Sequence, residues 1–92
     1  MAATADKCGE FVGPGWTAIE APVNARELAA MAQFKTRPVG LLWYSSASGD
    51  YAVCAYTRDP DGCGYGAHYF TKQNGQWHYS PGNFLWRYCV LD

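Results

Sequence analysis

Two periodicities divide the chain at Pro38. Before it, from Asn24, apolar residues recur at helical spacing: Leu28, Met31 and Ala32 line one face, with Phe34 at its edge. After it, apolar and polar positions alternate, broken at short intervals by turn residues. The pattern predicts one helix followed by a run of strands.

The helix is predicted over residues 24–36. Asn24 is a good N-cap, and Glu27 three positions later completes a capping box. Val23 and Leu28 are placed to form a hydrophobic staple. Arg37 precedes Pro38, and a residue before proline avoids the helical region, so the helix must stop by about residue 36. Residues 1–22 read as irregular. Gly13-Pro14-Gly15 marks a turn there, and Trp16 and Ile19 are expected to dock on the core.

The sheet is predicted within residues 39–91, with strands at 39–46, 51–57, 67–72, 76–80 and 84–91. Ser48-Gly49-Asp50, Arg58-Asp59-Pro60-Asp61-Gly62 and Ser80-Pro81-Gly82-Asn83 read as the connecting turns. Asn74-Gly75 is the strongest hairpin signal and favours a two-residue type I′ turn. That turn fixes a register: Gln73 opposite Gln76, Lys72 opposite Trp77, Thr71 opposite His78 and Phe70 opposite Tyr79. Phe70, Trp77 and Tyr79 then face the core, while Tyr69, Thr71, His78 and Ser80 face water. The last strand is apolar on both sides. The helix is therefore expected on one face of the sheet and the N-terminal segment, tied through Cys8, near the other. The expected fold is α+β: a single domain over 1–92, one N-terminal helix packed on a four- to five-stranded antiparallel meander, with two disulfides.

Composition sharpens this. A chain of 92 residues has a marginal core, and four Trp, seven Tyr and four Phe are more aromatic side chains than it can hide. Some must lie on the surface, where Tyr and Trp are typical contact residues. The net charge is −1, with no cluster of Lys or Arg, which argues against a nucleic-acid partner. No apolar run approaches the roughly 20 residues of a membrane span. The opening Met1–Lys7 has no apolar signal core and reads as the start of a mature exported chain, periplasmic or secreted.

Four cysteines, Cys8, Cys54, Cys63 and Cys89, read as a disulfide framework in an oxidising compartment. The expected pairs are Cys54–Cys63, bracketing a turn, and Cys8–Cys89, strapping the N-terminus to the last strand. Zinc would want closer cysteine spacing, and His68 and His78 fall on opposite faces of the predicted sheet, so no metal or cofactor is expected. Asp59 and Asp61 flank Pro60 as turn residues, and neither a nucleophile motif nor a phosphate loop is present, so no enzyme is expected.

What remains is the loop from Tyr56 to Tyr65. Closed by Cys54 and Cys63, it would be a rigid wedge with Arg58, Asp59 and Asp61 at its tip and Tyr56 and Tyr65 at its base. The leading expectation is an exported binding protein that docks this loop into another protein, as an enzyme inhibitor or a toxin-neutralising immunity protein. One alternative is a carbohydrate or small-ligand module using exposed Tyr44, Tyr69 and Trp86; another is a secreted structural or accessory protein. The segment Cys54–Gly64, two cysteines around a short loop followed by glycine, loosely resembles one in some periplasmic lysozyme inhibitors. The resemblance reaches no further along the chain.

Overall fold

The structure, a computed structural model, describes residues 8–32, 34, 38–59 and 62–87. It is an α+β fold built on one five-stranded antiparallel sheet. The elements in chain order are β1 (Trp16–Ile19), α1 (Ala25–Met31), β2 (Gly40–Ser46), β3 (Tyr51–Asp59), β4 (Gly62–Gln73) and β5 (Gln76–Arg87). The strands lie side by side in that same order, a meander. A short helical segment over residues 8–12 precedes β1.

Local turn chemistry sets the hairpins. Between β2 and β3, Gly49 takes a positive φ of 87°, and the Asp50 N–H donates to Ser46 Oγ at 3.2 Å. Between β4 and β5, Asn74 and Gly75 both have positive φ, 53° and 78°, as a type I′ turn requires. The register read from this dipeptide is the one observed, from Gln73 opposite Gln76 through Phe70 opposite Tyr79. Lys72 Nζ lies 5.7 Å from the centre of the Trp77 ring.

Alternation along β2, β3 and β4 sends successive side chains into two separate cores. Trp43, Val53 and Phe70 meet Leu28 and Ala32 on one face. Tyr44, Ala52, Cys54, Cys63, Tyr65 and Ala67 meet Cys8 and Val12 on the other. The sheet is thus covered by α1 on one side and by the 8–12 segment on the other. The face expected to be wet is wet at His78 and Ser80. At Tyr69 it is not: that ring packs over the second core, and its hydroxyl donates to the Val12 carbonyl at 2.9 Å.

Several expectations are corrected. α1 is shorter than 24–36, and Asn24 makes no side-chain cap. Its ψ of 21° is not the extended conformation that aims a capping side chain at the first turn. The start is held instead by backbone bonds, Ala25 N–H to the Pro22 carbonyl at 2.9 Å and Leu28 N–H to the Asn24 carbonyl at 3.1 Å. Val23 is fully exposed, so no staple forms, and Met31 points outward rather than into the core. Residues 16–19, read as irregular, are an edge strand paired with Trp43–Ser46.

The disulfide pairing also differs. One bridge is described, Cys8–Cys54, with Cα atoms 5.7 Å apart. Cys54 sits opposite Ala67, whereas Cys63 sits opposite Arg58, four residues farther along each strand. At about 3.3 Å per residue that offset is roughly 13 Å, well beyond the roughly 7 Å a disulfide can span. The expected Cys54–Cys63 bridge is therefore ruled out, and Cys8 goes to the central strand rather than to Cys89. Among the described residues no cysteine is free, and Cys89 lies outside them. Chain entropy gives the Cys8–Cys54 bridge, whose sequence separation is 46, about 4 kcal/mol of stabilisation.

The last correction positions the site. The expected turn at 80–83 is strand, and β5 runs unbroken from Gln76 to Arg87. Gly66 pairs with Phe84 but His68 pairs with Pro81, so Gly82 and Asn83 together oppose Ala67 in a bulge. Proline is tolerated because β5 is the last strand in the sheet order. Glycine is required at 82: a Cβ there would lie 2.5 Å from Tyr69 Cε2 and 2.8 Å from the Ala67 carbonyl oxygen. The extra residue reverses the facing of everything beyond it. Phe84 and Trp86 join Tyr79 and Pro81 on the α1 side, and Leu85 turns to the other.

Candidate binding site at the hairpin end of the sheet

The end of the sheet formed by the β3–β4 hairpin is built from four cross-strand rows. Arg58 pairs with Cys63 and Thr57 with Gly64; Tyr56 pairs with Tyr65 and Ala55 with Gly66. β5 adds Arg87, Trp86, Leu85 and Phe84 to the same rows. The strands thus continue through the segment read as a protruding loop. β3 ends at Asp59 and β4 begins at Gly62, leaving only Pro60 and Asp61 between, outside the described residues.

The residues named from sequence separate accordingly. Arg58 is exposed near the tip; the Asp59 side chain and Asp61 lie outside what is described. Tyr65 is buried, and Tyr56 packs half-buried against it with ring centres 5.3 Å apart. The Tyr56 hydroxyl is 3.6 Å from Cys63 Sγ. These tyrosines brace the base of the hairpin. The proposed sugar platform does not assemble. Tyr44 is buried, Tyr69 packs against Trp16 at 5.7 Å, and Trp86 belongs to the opposite face.

On the α1 side, the large core residues give way to small ones toward the hairpin end. Ala55, Thr57, Gly64 and Gly66 form a floor with almost no side-chain height. Trp86 lies over Gly64, where a Cβ would stand only 2.9 Å from Trp86 Cε3. Phe84 lies beside it, 3.4 Å from the position a Cβ would take on Gly66. Between Phe84 and Pro81 on one side and Phe34 on the other runs a groove of about 540 Å³, into which His68 and Tyr79 also face.

His68 is held on both sides. Its Nδ1 is 2.6 Å from the Tyr79 hydroxyl, and Phe34 meets it edge-on with ring centres 4.8 Å apart. Burial pushes its pKa below the ordinary 6.5, which keeps the imidazole neutral near neutral pH. His68 Nε2 stands 3.3 Å from where a Gly66 Cβ would be, so this nitrogen overlooks the floor. Among the described residues the lining carries no Asp, Glu, Lys or Arg.

A second concavity of about 570 Å³ lies by β1 and β2, lined by Gly9, Glu10, Ala18, Ile19, Leu42, Trp43 and Tyr44. Burial there raises the Tyr44 phenol above its usual pKa. Among the described residues no group of three or more His, Cys, Asp or Glu is placed to hold a metal, and no helix is long and apolar enough to cross a membrane.

The groove was missed from sequence because Gly62-Cys63-Gly64-Tyr65-Gly66 was read as loop. Alternating glycines within a strand mark places where something else approaches the backbone closely, and that signal was available. Comparison with protein-family models, curated proteins and solved structures found no match for this chain.

Proposed function

We propose that this chain is a non-catalytic protein-binding module that presents the hairpin end of its sheet to another protein. The observation that carries the reading is a run of three successive apolar side chains on β5. Phe84, Leu85 and Trp86 are 43%, 41% and 42% exposed. Neighbours in a strand face opposite ways, so β5 is open and apolar on both faces at this point. Arg58 is exposed in the adjacent rows of the same end. Aromatic residues and arginine are the side chains most often found at the energetic centres of protein interfaces.

Rigidity favours the same reading. β3 and β4 are paired from Tyr51 opposite Phe70 out to Asp59 opposite Gly62, and Cys8–Cys54 anchors β3 to the helical segment. A preorganised edge loses little conformational entropy when it docks. The partner is a protein with a cleft that accepts an aromatic-edged hairpin, as an inhibited enzyme or a neutralised toxin would. The disulfide fits an oxidising compartment, and export to the periplasm or the exterior is part of the proposal.

Affinity capture with the oxidised chain tests this. The Arg58→Ala/Trp86→Ala variant should lose a partner that wild type retains, while Gln73→Ala/His78→Ala, at the other end of β4–β5, should keep it. Equal retention by all three chains would refute docking through the hairpin end.

A further inference from the structure

Beyond binding a protein, we propose that the groove between Phe34 and Phe84 is a site for a small, uncharged, planar aromatic molecule whose carbonyl or similar acceptor is met by the Nε2–H of His68. Four observations set that chemistry. The volume, about 540 Å³, is that of a small-molecule site and leaves no room for a folded chain segment of any bulk. Three aromatic side chains, Phe34, Phe84 and Tyr79, line the groove together with the small residues Ala55 and Gly66, a lining suited to a flat ring. Among the described residues the lining has no charged side chain, so these offer an ionic ligand no compensation for the water it would lose.

The fourth observation is the aim of His68. Its Nδ1 is taken by the Tyr79 hydroxyl at 2.6 Å. When that hydroxyl donates, the neutral imidazole carries its proton on Nε2, the nitrogen that overlooks the Gly66 floor. The groove then offers this donor among aromatic walls, with Thr57 and Asn83 as further uncharged polar side chains of its lining, the pattern of a site that orients its ligand by a few polar contacts. A Cβ on Gly66 would already stand 3.3 Å from His68 Nε2 and 3.4 Å from Phe84 Cδ2, so a larger side chain at 66 would crowd the groove where that nitrogen faces it. The glycine is not needed there for backbone reasons, since its φ is not in the positive region.

The probe is benzamide, which has a flat ring and a carbonyl acceptor; toluene lacks the acceptor and cyclohexanecarboxamide lacks the flat ring. Titrations are followed by NMR on the oxidised protein, through the imidazole of His68 and the rings of Phe34 and Phe84. Benzamide should give saturable shifts at these residues with a millimolar dissociation constant, and each control should bind about tenfold more weakly. Gly66→Val fills the floor and should abolish saturation. His68→Phe keeps the wall, loses the donor, and should weaken benzamide about tenfold while leaving toluene unchanged. The resonances of β1 and β2 report whether each variant is folded, and Phe84→Ala, at an exposed position, serves if Gly66→Val is not. Absence of saturable shifts with benzamide would overturn the proposal, as would equal binding by wild type and His68→Phe, or an imidazole found protonated on Nδ1. The protein-capture result is independent of all of these, so either reading can fail alone.

Discussion

Replacing Gly82 by alanine should damage the fold far more than one methyl group suggests. The new Cβ would lie 2.5 Å from Tyr69 Cε2, 2.8 Å from the Ala67 carbonyl oxygen and 3.1 Å from Ala67 Cβ. Two of these three atoms belong to the backbone or Cβ of β4, which is paired on both sides and has no freedom to retreat. The third belongs to a ring fixed by its hydroxyl bond to the Val12 carbonyl and by contact with Trp16. Overpacking a tight site costs about 1–3 kcal/mol, and the upper end applies because the obstacle is backbone. If the ring swings aside instead, its hydrogen bond is lost, at about 0.5–1.5 kcal/mol. A total near 3 kcal/mol should lower Tm by about 12–24 °C for a domain of this size. Urea unfolding followed by Trp fluorescence, together with thermal melts, measures it. Gly40→Ala is the control, because a Cβ there meets nothing within 4 Å; it should change stability by less than about 0.5 kcal/mol. If Gly82→Ala costs no more than Gly40→Ala, the bulge and the facing of Phe84 and Trp86 derived from it are wrong.

Other expectations are checked more simply. Digestion under non-reducing conditions should yield a peptide linking Cys8 to Cys54 and none linking Cys54 to Cys63, and Cys8→Ala with Cys54→Ala should cost about 4 kcal/mol in denaturant unfolding. Phe70, completely buried between Trp43 and Tyr79, should cost about 3–5 kcal/mol on truncation to alanine. Burial lowers the folded-state pKa of His68 below 6.5, so the unfolded chain takes up its proton first as pH falls. Stability should therefore decline as pH drops below 6.5 and level off below the folded pKa, and His68→Phe should remove that part of the pH dependence.

The parts of the structure legible in the sequence were those fixed by neighbouring residues. Asn74-Gly75 sets its turn and hence the register of β4 with β5, because both φ values are local properties. Leu28 and the apolar period located α1, whereas Tyr44, expected at the surface, is buried in the second core. What escaped depended on distant partners. Asn24 reads as a cap, but the turn from Pro22 sets its backbone away from capping geometry. Gly64 and Gly66 read as loop because they lack side chains to stabilise a strand, and Trp86 and Phe84 supply that cover from across the sheet. Pro81-Gly82 reads as a turn, whereas an edge position and a bulge absorb both residues. The Cys8–Cys54 pairing follows from a segment folding over a sheet face, which spacing along the chain does not encode. For the proposed site, Arg58 was named from the sequence and is exposed, while Phe84 and Leu85 beside it were not named. His68 was placed only on the face opposite His78, and its groove exists only once the bulge turns Phe84 toward it.

Docking through the hairpin end is tested most directly by a photo-crosslinking aromatic residue in place of Trp86, with the oxidised chain irradiated among exported proteins of its source. A discrete adduct with one protein is predicted, suppressed by excess wild-type chain and not by excess Arg58→Ala/Leu85→Ala chain. No adduct from position 86, or the same adduct from a probe at position 78, would contradict it.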